Sequence, residues 1–241
     1  MKTDLAGESA LITGGGRGLG RQLALDFAAR GAKVAISSRS ADQLDEVRKE
    51  IEAAGGTAMT VVADVGVGSD VERMIGSVRD RFGSLDVLVN NAGSFPVGAV
   101  VDVDEAEWDQ SMHVDLKSFY LCSRSALTIG GMLAGQAGHI INIASVSVRR
   151  AVPNLAIHCS FKAGVLAFSE SLRREVAGAG IRVSIICPGT IDTGLVRDPV
   201  KKNYVHGESK WLSTQDVSDL VLYVAEAPKN VNLSEVTIVG A

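Results

Sequence analysis

Short runs of aliphatic and β-branched residues alternate with longer amphipathic stretches along the chain, and no other feature constrains the fold as strongly. Ser9–Thr13 reads as a strand. Helical periodicity follows from about Leu19 to Arg30, with Gly31 where a helix C-cap belongs. Lys33–Ser37 reads as a second strand, and Leu44, Val47, Ile51 and Ala54 then recur at helical spacing. Thr57–Ala63 and Asp86–Val89 are further strands on either side of a helix around Val71–Phe82. A long helix is predicted from about Glu105 to Leu127. His139–Ala144 and Arg182–Cys187 are strands flanking a helix near Ile157–Ala177, and Val236–Val239 is a last strand. Strand and helix in turn, with short connections, imply a parallel sheet covered by helices on both faces.

The predicted architecture is therefore α/β: a single-domain, doubly wound, Rossmann-like parallel sheet over residues 1–241, with helices on both faces. Ile140–Ala144 is apolar except for Asn142, as expected of a strand buried on both sides. The polar, aperiodic stretch at about 194–210 is the predicted substrate lid. Hydrophobic residues make up 46% of the chain and charged residues 22%, which excludes a disordered polymer. A formal charge of -4 gives no positive field to gather nucleic acid or anionic lipid, so neither is an expected partner. No apolar run approaches the ~20 residues of a membrane span. The first ten residues carry Lys2, Asp4 and Glu8 and lack a signal-peptide core. Cys122, Cys159 and Cys187 are far apart and form no metal-binding spacing. Free thiols, no metal and a cytoplasmic location are the expectations.

Glycine is in excess: 26 residues, against about 17 at average usage. Five of them fall in Thr13–Gly20, directly after the first strand and opening the first helix. Gly14, Gly16, Gly18 and Gly20, with Arg17 and Leu19, form a turn that lets a diphosphate approach the backbone and the helix N-terminus. The end of the second strand reads Ser37-Ser38-Arg39-Ser40, with no carboxylate before Asp42. Ser38 and Arg39 offer a hydroxyl and a forked cation to a ribose 2′-phosphate, so NADP(H) is favoured over NAD(H).

These residues, together with Asp64-Val65 after the third strand, Asn90-Asn91-Ala92-Gly93 after the fourth and Pro188-Gly189-Thr190-Ile191-Asp192-Thr193 after the sixth, resemble the short-chain dehydrogenase/reductase family over nearly the whole length. The resemblance implies that Asp64 and Val65 meet adenine, that Asn91, Ala92 and Gly93 back the cofactor, and that Pro188, Gly189, Ile191 and Thr193 lie on its nicotinamide side. It implies that Ser145 and Lys162 are catalytic, with Lys162 also on the cofactor ribose. It further implies a homotetramer or homodimer packed through the helices at about Glu105–Leu127 and Ile157–Ala177.

Two of the family's four catalytic positions differ. The tyrosine position, four residues before Lys162, holds His158, and the asparagine position holds Asp115. His158 and Lys162 share one helix face. An imidazole N–H ends roughly 2 Å nearer its own Cα than a tyrosine hydroxyl. The carboxylate of Asp115 would favour a cationic Lys162 and could compensate for His158. The reading is an NADP(H)-dependent oxidoreductase acting on a carbonyl or imine of a small molecule, with an atypical catalytic set of Ser145, His158, Lys162 and Asp115. The alternatives are a non-redox enzyme (dehydration, cyclisation or isomerisation) and a catalytically inactive NADP(H)-binding protein. Arg149 and Arg150 are either an anion clamp or a solvated loop pair, and Tyr204 and His206 fall in the predicted lid.

Overall fold

The structure is a computed structural model that describes residues 5–193 and 211–241. Its seven strands are β1 (Ser9–Thr13), β2 (Lys33–Ser38), β3 (Thr57–Val62), β4 (Val87–Asn90), β5 (Gly138–Ile143), β6 (Ile181–Pro188) and β7 (Glu235–Ile238). They form one sheet in the order β3-β2-β1-β4-β5-β6-β7, and every pairing is parallel. The Rossmann-like parallel sheet expected from the alternation is thus present. The chain winds outward from β1 to β3 and resumes at β4 on the other side of β1. This leaves a crevice at the strands' carboxyl ends, where open α/β sheets bind ligands.

The helices are α1 (Gly18–Ala29), α2 (Ala41–Ala53), α3 (Gly68–Phe82), α4 (Glu105–Met112), α5 (Ser118–Thr128), α6 (Met132–Gly135), α7 (Ala156–Val176) and α8 (Thr214–Ala225). Leu23 and Phe27 of α1, Val47 of α2 and Val221 of α8 pack on one face of the sheet against Ala10, Ile12 and Ile36. Val71 and Ile75 of α3 and Cys122 of α5 pack on the other against Leu11 and Ala35. Successive strand residues point to opposite faces, so Leu11 and Ile12 join different layers and both must be apolar. Asn142 is the polar exception among Ile140–Ile143 of β5, and it is satisfied. Its Oδ1 accepts from Asn90 Nδ2 at 2.8 Å, and its Nδ2 donates to Ser169 Oγ of α7 at 2.7 Å.

The predicted continuous helix from Glu105 to Leu127 is interrupted. Between α4 and α5, His113–Lys117 forms a π turn, and Asp115 sits in it, 1% exposed. A wide turn delays the helical phase locally without ending the apolar pattern, which is why periodicity reads straight through it. The α8 helix begins with a reciprocal cap: Ser213 Oγ accepts from Asp216 N while Asp216 accepts from Ser213 N. The last strand lies one residue earlier than expected. No helix among the described residues is long and apolar enough to cross a membrane.

His139, at the start of β5, is 2% exposed, and its Nε2 lies 2.8 Å from Ser184 Oγ on β6. Burial, and then the positive charge of Arg182, holds its imidazole well below the ordinary histidine range. The unfolded chain therefore takes up a proton near pH 6.5 that the folded chain refuses. Stability from this residue is complete above that pH and is lost as pH falls. We predict that chemical denaturation at pH 7 and pH 5 shows a loss of up to about 2 kcal/mol traceable to this group. His139→Gln should shrink the pH dependence by that amount; an unchanged slope would show that the residue is protonated while buried.

Candidate functional site

The crevice at the switch point is a cleft of about 510 Å³ that runs from the turn after β1 to the N-terminal half of α7. That is ample for a cofactor-sized ligand. The turn closes tightly. Gly14 has φ +69°, and a Cβ on Gly20 would stand 2.1 Å from Gly14 O and 2.6 Å from Asn91 Nδ2. α1 thus starts directly on the turn, which only glycine allows. The turn is tied across the sheet to the loop after β4. Thr13 Oγ1 accepts from Asn91 N at 3.0 Å and Ala92 N at 3.1 Å, while Asn91 Nδ2 donates to Thr13 O at 2.9 Å. Gly18 faces Thr193, whose Cβ lies 3.2 Å from where a glycine substituent would be. The cradle of bare backbone at the start of α1 has the shape and donors that a diphosphate needs, so the residues present fit a dinucleotide.

At the end of β2, Ser38 lies beside Gly16, and Arg39 is exposed at the cleft wall. Asp64 Oδ1 accepts from Gly66 N at 2.8 Å, which fixes the carboxylate beside its own loop. Asp64 N donates to Asp70 Oδ2, and this bond, followed by Arg73, holds the Asp70 carboxyl below the usual carboxylate range.

At the other end, Ser145 caps the short turn Val146–Val148. Its Oγ accepts from Ser147 N at 3.1 Å and lies 3.0 Å from Ser147 Oγ. His158 and Lys162 stand one turn apart on α7, each 6% exposed, on the face that looks into the cleft. Lys162 Nζ donates to Ile143 O at 3.4 Å, lies 3.6 Å from Asp115 Oδ1, and sits 5.3 Å from the Phe119 ring centroid. Asp115 accepts from Ser94 N at 3.0 Å and from the Ser94 hydroxyl in a short hydrogen bond. Phe95 meets the His158 ring edge-on, with centroids 4.9 Å apart and planes at 71°.

All the candidate cofactor residues line the cleft: Gly14, Gly16, Arg17, Gly18, Leu19 and Gly20 on the first turn; Ser38, Arg39, Asp64 and Val65 after β2 and β3; Asn91, Ala92 and Gly93; and Pro188, Gly189, Ile191 and Thr193. Ser145, His158 and Lys162 line it too. Asp115 does not. It lies behind Gly93, Ser94 and Lys162, so it reaches a ligand only through them. Sequence reasoning missed Gln43, Ser94, Phe95, Val146, Ser147 and Thr190, which also line the cleft. Phe95 carried a signal: aromatics are only 5% of the chain, and this one follows Asn90–Gly93 by two residues.

Arg149 is not an anion clamp. Its guanidinium grips the Glu235 carboxylate at 3.0 and 2.7 Å, and neither it nor Arg150 lines the cleft. Tyr204, His206 and the expected lid at 194–210 lie outside the described residues. The buried thiols are protonated: burial pushes Cys122 up to about 12 and Cys187 up to about 11. Among the described residues, no group of His, Cys, Asp and Glu side chains is placed to hold a metal ion.

The short chain dehydrogenase family model matches residues 8–203. This chain belongs to the short-chain dehydrogenase family. An uncharacterized oxidoreductase of Staphylococcus aureus (strain MRSA252) is 32% identical over 236 residues, 98% of each chain. Another, of Staphylococcus epidermidis, is 33% identical over 229 residues, 95% of each. Among solved structures, actinorhodin polyketide ketoreductase with NADPH superposes with a TM-score of 0.89 at 28% identity, over 100% of this chain and 98% of that one. A metagenomic short-chain oxidoreductase in complex with NADP gives 0.84 at 30% identity, over 98% of each.

In this short-chain dehydrogenase the contact between α1 and its turn gives a direct test. Gly20→Ala should lower Tm and weaken dinucleotide binding at least tenfold, because overpacking there costs about 1–3 kcal/mol. Gly178→Ala, where the new methyl meets nothing within 4 Å, should leave both within error. Thermal melts and a cofactor fluorescence titration read the two effects.

Proposed function

We propose that this short-chain dehydrogenase is an NADP(H)-dependent oxidoreductase that acts on a carbonyl or imine carbon of a small molecule with an atypical catalytic set. The observation that carries this reading is convergence: Ser145, His158 and Lys162 line one end of the cleft whose other end holds the glycine turn, Ser38 and Arg39. NADP-bound structural neighbours support the cofactor class.

A bound nicotinamide supplies or accepts the hydride. The chain's own groups do the rest. The Lys162 ammonium, anchored from behind by Ile143 O and Asp115, presents its remaining donors to ribose hydroxyls. The Ser145 hydroxyl turns from Ser147 to donate to the substrate oxygen or nitrogen, where charge develops. His158 stands in the proton donor's place. Its shorter reach requires the acceptor to sit deeper, against Phe95, or to bond through one water. Ser38 and Arg39 take the 2′-phosphate, Arg39 as a charge-assisted donor.

The non-redox reading needs His158 and Asp115 to act together on substrate. The burial of Asp115 behind Ser94 and Lys162 removes that support. The proposed test supplies NADPH with a panel of ketones, aldehydes and cyclic imines and follows the reduced-nicotinamide absorbance. Consumption of NADPH is expected with at least one class. Substrate conversion without consumption, or tight binding with no conversion, would overturn the reading. Arg39→Ala should raise the Kd for NADPH by about tenfold or more, the worth of a charged hydrogen bond, and leave that for NADH unchanged.

A further inference from the structure

We propose that Asp115 sets the orientation of the His158 ring through Ser94 and Phe95, so that the two unusual residues of the site are coupled by the loop after β4. The tie at Asp115 is specific. Its two oxygens accept the Ser94 N–H at 3.0 and 3.2 Å and the Ser94 hydroxyl. A carboxylate accepts on both oxygens, whereas an amide at this position would present one acceptor and one NH₂ group to the same two donors. The preceding residue is closely packed as well: a substituent on Gly93 would stand 3.0 Å from Asp115 Oδ1 and 3.6 Å from Lys162 Nζ. With Asn91 fixed to Thr13 at the other end, the loop has little freedom where Phe95 leaves it.

What the fixed loop delivers is the Phe95 ring, edge-on to His158 at 4.9 Å. The terminal torsion of a histidine is broad, so a ring packed against it takes part in choosing the direction in which the ring nitrogens point. His158 is 6% exposed, and the Phe95 ring packs edge-on against it. Phe95 is therefore a positioning residue for His158, and Ser94 and Asp115 act through it. The catalytic consequence rests on the proposed role of His158; the positional claim does not.

A charge effect relayed by Lys162 is the rival account, and Ser94→Ala separates the two, because it removes the hydroxyl strand of the loop tie and keeps the Asp115 charge. Imidazole signals of isotope-labelled histidine in the cofactor-free protein read His158 directly. Loss of a signal in His158→Gln assigns it, and unmoved His139 signals certify that each variant is folded. Phe95→Leu, Ser94→Ala and Asp115→Asn should each displace the His158 signals, and Ser94→Thr should restore them. In a Phe95→Leu background, Ser94→Ala and Asp115→Asn should add nothing. The proposal is overturned if Ser94→Ala leaves the His158 signals and the Phe95–His158 cross-peaks at their parent positions. It is overturned equally if Asp115→Asn displaces His158 as far in the Phe95→Leu background as in the parent. With an active substrate, Ser94→Ala should lower kcat about tenfold with KM within about twofold, as expected for a misplaced group. A parent enzyme that turns over no substrate would sink the redox reading and leave the histidine spectra to decide this one.

Discussion

One side chain at the switch point holds both halves of the cleft in place. Thr13 ends β1, and its hydroxyl donates to Val89 O while accepting from the backbone N–H groups of Asn91 and Ala92. Asn91 returns the bond to Thr13 O. The glycine turn that opens α1 and the loop that leaves β4 are thereby a single hydrogen-bonded unit. One side of that unit faces a diphosphate-sized cradle, and the other carries Gly93, Ser94 and Phe95 toward α7. The polar groups concerned are partly buried, and buried polar groups persist only when paired. Geometry at one end of the cleft therefore cannot drift without disturbing the other.

Behind this unit lies a buried pair of opposite charges. Lys162 and Asp115 are 6% and 1% exposed, yet their nearest atoms are 3.6 Å apart, beyond a normal hydrogen bond. Attraction alone does not fix the carboxylate; the two donors of Ser94 do. A buried charge is costly unless it is both neutralised and hydrogen-bonded. Here Lys162 supplies the first condition and Ser94 the second. This division leaves most of the ammonium's donors for the cleft side.

The sheet and the phosphate turn were legible because they rest on local rules. Apolar strands buried on both faces, helical spacing and five glycines at a strand–helix junction have no other common arrangement. Residues now seen to line the cleft were reached from those strand ends together with the family resemblance. What escaped the reading depends on contacts distant in sequence. The π turn at His113–Lys117 leaves the apolar pattern intact, so nothing in the spacing of Glu105–Leu127 marks it. Phe95 is a lone aromatic whose partner lies 63 positions later in the chain. Arg149 reads more readily as a solvated loop residue than as an anion clamp, and only the approach of β7 reveals Glu235 as its partner.

The scaffold and the chemistry respond differently to substitution. Asp115 and His158 contribute no strand pairing and no part of the glycine turn, so the sheet and the cradle form without regard to their identity. Their effect is confined to one end of the cleft, where an imidazole stands in place of a longer phenol. The imidazole ends nearer its own helix than a phenol hydroxyl would, beside the Phe95 ring that meets it edge-on. That end of the cleft is lined by the loop after β4 as well as by the helix that carries His158 and Lys162.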